Sequence, residues 1–258
     1  MSNSAVKKLG RMLLVFGCGF MLMPSVLEAH YIWIAAEAKL SPGKTKEVSL
    51  CYGEFPHRER AGRRLEEIAG IKAWVRSPSG TVTAIALAEE GNSYSAPIAP
   101  KEVGIYNITA VVDRGVVDWT KYNLGVVRAI HYARAQLALS EEEKPEAEDN
   151  LGPYLDLDIV PVTETVNPAA GSPATVRVMF KGKPLPHSKV IVHADNDWMR
   201  EIKADAWGIA TFTTPQAGHY VVEVIYTDWT PGEYQGKKYE ATRHRATLSL
   251  ESVRSKVE

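Results

Sequence analysis

Short stretches of alternating apolar and polar residues make up most of the chain after His30. A period of two is typical of a half-buried β-strand, because successive side chains point to opposite faces. Turn-forming sequences such as Ser77-Pro78-Ser79-Gly80 and Lys181-Gly182-Lys183-Pro184 separate the stretches. The pattern predicts an all-β protein, with a short helix or ordered loop over residues 58–68. The predicted strands include 46–52, 71–76, 81–87, 104–112, 131–139, 175–180, 190–193, 219–226 and 241–250.

A change in pattern at residues 161–167 divides the strands into two groups. We therefore predict two β-sandwich domains, 30–162 and 163–258. The second has the strand order of a small immunoglobulin-like or transthyretin-like sandwich, with Asp205 and Gly208 shaping a hairpin turn. The acidic run at 140–150 is expected to be a solvated excursion of the first domain.

The first 29 residues differ in character from the rest. Three basic residues within positions 7–11 precede an apolar run over 12–23, and the segment ends at Ala29. This is the layout of a secretory signal peptide, and the apolar run is short for a membrane span. Cleavage after Ala29 would export the protein to the periplasm and make His30 its N-terminus. An uncleaved anchor is the alternative.

Charge and cysteine content narrow the possible partners. Removing the leader changes the net charge from -1 to about -3, so no nucleic-acid partner is expected. Only Cys51 remains in the mature chain, which excludes an internal disulfide, and we expect no disulfide-linked partner. At 45% hydrophobic residues the chain can form its domains from packed cores.

An N-terminal His30 would combine a free α-amine and a ring nitrogen on one residue, which can close a small chelate ring on a metal. The α-amine has an ordinary pKa of about 8, so a metal displaces its proton more easily than that of a lysine. Imidazole suits nickel, copper and zinc better than calcium or magnesium. The alternative is that cleavage merely falls before a histidine.

Four further side chains are candidate ligands for the same metal. Glu54 and His57 stand in one loop after a predicted strand, where both can reach one site. His131 and His244 share the parity of the apolar residues in their strands, so both are expected to point to a core face. A histidine there is more often a hydrogen-bonded core residue than a ligand.

Other chemistry-bearing residues have structural interpretations. We expect His187, His193 and His219 to be exposed to solvent, and Cys51 to be a small buried apolar residue. No Gly-x-Ser-x-Gly, phosphate loop or His-Glu-x-x-His motif occurs, so we expect no enzymatic activity. One set of aromatic residues either lines a glycan-binding face or belongs to the cores. These residues are Tyr31, Trp33, Trp119, Tyr122, Trp229 and Tyr234.

Five segments together point to a known family. They are the leader ending at Ala29, His30-Tyr31-Ile32-Trp33, the loop Tyr52-Gly53-Glu54-Phe55-Pro56, the strand 155–161 and the module 171–250. In these segments the chain resembles the DUF4198 family of periplasmic proteins, which includes the NikK-like accessory component of energy-coupling-factor (ECF) nickel transporters. The resemblance implies an extracytoplasmic protein that binds nickel or cobalt for a membrane transporter of the ECF type.

The early loop departs from the family's pattern. Many members carry Gly-His-Pro, whereas this chain has Gly53-Glu54-Phe55-Pro56-His57. Either His57 takes the ligand role from a shifted position, or Glu54 replaces it, or no metal binds there.

These observations support two classes of function. The first is capture of nickel or cobalt, or copper as a close variant, by His30 with His57 and one of the strand histidines. The second is a non-metal envelope protein that docks to a partner or binds glycan. Convergence of the histidines on His30 would favour the first class.

Overall fold

The computed structural model describes residues 30–58, 65–139, 155–162 and 167–254. The predicted all-β fold is confirmed, and the leader and the acidic run at 140–150 lie outside the described residues. Within these ranges two short 3-10 helices occur, at Leu65–Ile68 and Thr120–Tyr122. No helix among the described residues is long and apolar enough to span a membrane. The strands are β1 Tyr31–Ala35, β2 Lys46–Glu54, β3 His57–Arg58, β4 Lys72–Arg76, β5 Val82–Ile85, β6 Ala88–Glu90, β7 Ser93–Ile98, β8 Ile105–Asp118, β9 Val126–Ala138, β10 Leu157–Pro161, β11 Pro173–Phe180, β12 Lys183–Pro184, β13 Lys189–Ala194, β14 Met199–Lys203, β15 Ile209–Thr213, β16 Gly218–Asp228, β17 Gly232–Tyr234, β18 Lys237–Tyr239 and β19 Ala241–Ser252.

One eight-stranded sheet runs through both halves of the chain, in the order β14-β13-β16-β19-β9-β8-β4-β5. Its two halves meet where β19 pairs in parallel with β9, so that Arg245 lies beside His131. Every other strand pair in this sheet is antiparallel. The parallel pair therefore joins the two halves of the chain by backbone hydrogen bonds.

Each half of the shared sheet is covered by a smaller sheet. The sheet β1-β2-β7-β6, with β3 on β2, covers one half, and β10-β11-β12, with β15 on β11, covers the other. Strand β9 serves both cores: Ala133 and Leu137 face the first, while Ile130 and Tyr132 face the second. Strand β10 precedes the predicted boundary at 162/163, yet it pairs with β11 and packs in the second core.

The turn predicted at Asp205 and Gly208 forms, but it does not close a hairpin. Asp205 Oδ1 accepts hydrogen bonds from the backbone N–H groups of Trp207 and Ile209, at 2.8 and 2.9 Å. The strands on either side join different sheets, since β14 pairs with β13 and β15 pairs with β11. The turn thus carries the chain from one layer of the second sandwich to the other.

Among the described strands, β1 has a backbone partner on one edge only. It pairs with β2, and side chains of β19 satisfy backbone groups along its other edge. These side chains occupy alternate positions of β19, so they all point to the same face of the shared sheet. Arg245 Nη1 donates to the carbonyl of His30 (3.2 Å), and Thr247 Oγ1 donates to the carbonyl of Ile32 (2.8 Å). The N–H of Ile34 donates to Ser249 Oγ (3.2 Å). Just after the strand, the N–H of Ala38 donates to Glu251 Oε2 (3.0 Å).

Candidate functional site

His30 immediately precedes β1 and is half-buried. Its backbone carbonyl accepts a hydrogen bond from Arg245, and this bond fixes the position of the residue just before the strand. Its ring lies against Tyr52 of β2, with centroids 5.7 Å apart. The first residue of the predicted mature chain is thus held at a defined place on the edge of the first core.

His131 approaches the same tyrosine from the shared sheet. Its ring centroid lies 6.5 Å from that of Tyr52, and the side chain is buried, as its strand parity predicted. Its Nδ1 atom is buried and has no hydrogen-bond partner among the residues that the structure describes. A buried polar atom without a partner costs free energy and is uncommon, so this nitrogen is a candidate metal ligand.

Burial lowers the pKa of His131 well below the usual value, and Arg114, Arg245 and Arg243 lower it further. The ring is therefore neutral at physiological pH, which is the form that binds metals. Arg114 is ion-paired with Glu67 and Arg245 with Glu223, so carboxylates offset part of the arginine charge near this ring.

Glu54 and His57 face each other across the hairpin between β2 and β3. Both are exposed, and His57 Nε2 lies 3.5 Å from Asp197 Oδ1 of the second sandwich. Among the residues that the structure describes, no three His, Cys, Asp or Glu side chains form a group that could hold a metal. Glu54 and His57 therefore do not close a three-side-chain site with His30 in this structure.

His244 lies in the second core, on the opposite face of the shared sheet from His131. Its Nδ1 is 2.9 Å from the hydroxyl of Tyr132, and its ring packs against Phe180 and Tyr226. Burial lowers its pKa to about 4. The structure thus places His30 and His131 each near Tyr52 and leaves His244 as a hydrogen-bonded core residue.

The sequence pattern does not predict the buried charged network that lies next to His30. Glu223 of β16 accepts from Arg245 Nε (2.7 Å) and lies 2.9 Å from Nε2 of His193, which is mostly buried rather than exposed as expected. Burial alone would raise the pKa of Glu223, but Arg245 and His193 outweigh it and hold the pKa below its usual value. Arg245 also lies 4.6 Å from the ring centroid of Tyr31. The network anchors the arginine that holds His30.

Cys51 and the aromatic set have structural roles. Burial raises the pKa of the Cys51 thiol to about 11, so it stays protonated at neutral pH and offers no thiolate to a metal. Of the six aromatic residues, Tyr31, Trp33 and Trp119 are buried, whereas Trp229 is exposed. These six residues do not form a continuous exposed row of the kind that stacks on glycan.

The arrangement can supply three nitrogen ligands if the chain begins at His30. The α-amine and ring of His30 provide two, and the neutral ring of His131 provides the third. Nitrogen ligands of this kind suit nickel and copper.

The comparisons with known proteins are specific at the family level only. The chain matches no curated protein. A solved structure of Salmonella alpha-2-macroglobulin reacted with methylamine is 11% identical and overlaps 86% of this chain but 15% of that one, with a TM-score of 0.27. A likeness of that size carries no argument about fold or function. A family model described as a domain of unknown function (DUF4198) matches residues 27–228. That match spans most of the chain, which therefore belongs to the DUF4198 family.

Proposed function

We propose that this protein captures nickel or cobalt outside the cytoplasmic membrane and passes the metal to a membrane uptake transporter of the ECF type. The metal binds to the α-amine and ring of His30 and to the ring of His131. Copper is the close variant, because it outranks nickel at nitrogen sites, so selectivity depends on geometry and on supply. Cleavage of the leader after Ala29 delivers the protein to the periplasm and frees the α-amine.

One observation carries the proposal: the rings of His30 and His131 both lie against Tyr52, and within the described part of the chain the buried Nδ1 of His131 has no hydrogen-bond partner. A histidine kept only for packing would find a partner for that nitrogen, as His244 does with Tyr132. A metal bound to that nitrogen would satisfy it.

The docking of β1 supports the same site. A metal site needs its ligands held close to the binding geometry before the metal arrives. Arg245 fixes the carbonyl of His30, and Thr247 fixes that of Ile32, so the first residues cannot slide along the sheet. This fixing would hold His30 in position as a ligand.

The test is isothermal titration of the mature protein, starting at an unmodified His30, with nickel, cobalt, copper and zinc at neutral pH. We expect one stoichiometric site for nickel. A variant with one extra residue before His30 removes the chelating amine, and His131→Gln removes the third nitrogen. Each should lower the affinity at least about tenfold.

His219→Gln is the matched control, since His219 is exposed and lies outside the cluster around Tyr52. It should bind nickel like the parent protein. Equal titrations for the parent and for the variant with an extra N-terminal residue would rule out this placement of the site. Absence of binding to all four metals would remove the metal-capture function itself.

A further inference from the structure

A cleft of about 380 Å³ is lined by residues from both halves of the chain. The hairpin between β2 and β3 contributes Phe55, Pro56 and Arg58. The loop between β13 and β14 contributes Asp195, and β19 contributes Glu251. Sites for small molecules have volumes of this order and often lie where two domains meet. Neither histidine of the proposed metal site is among the described residues that line this cleft.

Part of the lining is apolar. Phe55 and Pro56 are half-buried at the tip of the hairpin, and Ala35 and Ala36, at the end of β1, are half-buried as well. Phe55 packs edge-on against Trp33, with ring centroids 5.8 Å apart. Because Trp33 is itself buried, it holds the phenyl ring in place. The cleft therefore offers a fixed apolar surface to the non-polar side chains of a ligand.

Two carboxylates of the lining lie next to His219. Asp195 Oδ2 accepts the backbone N–H of His219 at 3.0 Å, and Glu251 of β19 is in register with His219 of β16. Among the described residues, neither carboxylate forms an ion pair with a lysine, arginine or histidine, whereas Glu37, a third carboxylate of the lining, pairs with Lys46. A carboxylate has about four acceptor sites, so Asp195 and Glu251 can both accept from an ammonium group.

Arg58 brings the opposite charge to the cleft. It is in register with Gly53, which is in register with Tyr31, so its side chain points to the same face of this sheet as Tyr31 and Trp33. The side chain is exposed and has no carboxylate partner within the described part of the chain. A guanidinium can hold a carboxylate by two parallel hydrogen bonds. The lining thus presents charges of both signs that are not paired with each other.

The separation of these charges sets the size of the ligand. Arg58 lies in the row of Tyr31, at the start of β1, whereas Glu251 accepts from the N–H of Ala38, beyond the end of this strand. The five residues of β1 span roughly 16 Å. Long side chains shorten the gap, but a free amino acid carries both charged groups on one carbon atom and cannot bridge it. An extended peptide of three residues spans roughly 10 Å, and its termini carry the two charges that the cleft lacks.

We propose that this cleft binds short linear peptides with free termini and apolar side chains. The C-terminal carboxylate pairs with Arg58, the apolar side chains pack against Phe55 and Pro56, and the N-terminal ammonium lies between Asp195 and Glu251. Peptide binding goes beyond the proposed capture of metal and does not depend on it, because the two sites share no ligand residue.

Isothermal titration of the mature protein with trileucine, without added metal, tests this proposal. We expect saturable binding of one peptide to one protein. N-acetylated trileucine lacks the ammonium group, and trileucine with a C-terminal amide lacks the carboxylate. Each capped peptide loses charge-assisted hydrogen bonds and should bind at least about tenfold more weakly than the free peptide.

Two substitutions assign the ends of the peptide. Arg58→Gln should weaken the binding of free trileucine at least tenfold and leave the affinity for the C-terminal amide unchanged, because the amide has no carboxylate to lose. Asp195→Asn should weaken free trileucine and leave the N-acetylated form unchanged, and it keeps an oxygen for the N–H of His219. Both positions are exposed, so we expect both variants to fold.

Arg200→Gln is the matched control, because Arg200 is exposed on β14 and does not line the cleft. It should bind all three peptides like the parent protein. His131→Gln should also bind trileucine like the parent, so the peptide site and the proposed metal site can fail separately. Absence of saturable trileucine binding would overturn the proposal. An equal loss of free and amidated trileucine in Arg58→Gln would overturn it as well.

Discussion

His244 shows how a single buried side chain makes stability depend on pH. Burial lowers its pKa to about 4, with smaller opposing contributions from Asp156 and Asp228, which raise it, and from Lys181 and Arg128, which lower it. In the unfolded chain a histidine has a pKa of about 6.5. The neutral ring is therefore the form that the fold accepts.

We expect the free energy of unfolding to fall as the pH decreases from about 6.5 to about 4. In this range His244 binds a proton in the unfolded chain but stays neutral in the folded one. The separation of the two pKa values corresponds to about 3 kcal/mol. His131 acts in the same direction, since its pKa is also lowered by burial. Urea denaturation at a series of pH values across this range measures the effect.

A substitution isolates the contribution of His244. His244→Phe cannot titrate, so its stability should depend less steeply on pH over this range, although loss of the bond to Tyr132 lowers its stability at neutral pH. His219→Gln, at an exposed position, should follow the parent protein. Parallel curves for His244→Phe and the parent would refute the assignment.

At the scale of elements, the docking of β1 is the least ordinary feature of the fold. Its outer edge is satisfied by side chains of β19 instead of a third backbone. Each of these side chains bonds one backbone group of the β1 segment, so a donor must face an acceptor at every position. Such bonds specify the register of β1 through residue type, which a backbone ladder does not do.

Thr247→Val tests this docking with little change in volume. Thr247 Oγ1 donates to the carbonyl of Ile32 at 2.8 Å in a buried setting, so the variant leaves that carbonyl without its partner. We expect a loss of about 1–3 kcal/mol in the free energy of unfolding, measured by urea denaturation. Thr83→Val, at an exposed strand position, should stay within about 0.5 kcal/mol of the parent. A loss for Thr247→Val no larger than for Thr83→Val would show that the bond contributes nothing.

The alternation of apolar and polar residues was enough to predict most strands, because it depends only on neighbours in sequence. It predicted the strand over 46–52 and the burial of His131 and His244. It did not predict that these two histidines lie on opposite faces of one sheet, since that depends on the parallel pairing of β9 with β19. Pairing between strands so distant in sequence leaves no local signal.

The candidate site was only partly predictable for a similar reason. His30 could be predicted as a candidate ligand from the end of the leader. The burial of His131 could be predicted from its parity in the strand. Glu223 and Arg245 alternate with apolar residues, and charged residues in that pattern usually face water. Here β1 covers them, so they form a buried ion pair that sequence alone gave no cause to expect.

At the scale of the whole molecule, the shared sheet joins two cores that would otherwise be separate. Strand β9 places Leu137 in the first core, and β19 places Leu248 in the second. The two strands are hydrogen-bonded to each other along their length. Loss of either core therefore exposes an edge of the strand that supports the other.

We expect the two halves to unfold in one cooperative transition. Leu137→Ala and Leu248→Ala remove buried side chains from different cores, and each should lower the stability of the whole molecule by about 2–5 kcal/mol. Circular dichroism and tryptophan fluorescence should report the same midpoint for each variant. Two separated transitions, with each substitution moving only one of them, would show that the halves are independent.

The position of β19 also sets the order in which the molecule can be completed. It is the last strand along the described chain, yet it lies between β16 and β9 in the interior of the eight-stranded sheet. Until the ribosome has delivered this strand, β9 keeps an open edge that can pair with other chains. The contact between Thr247 and Ile32 spans 215 residues, so closure of the sheet waits for β19 and is slow by its topology. A chain truncated before β19 would lose both the centre of its sheet and the anchor of His30.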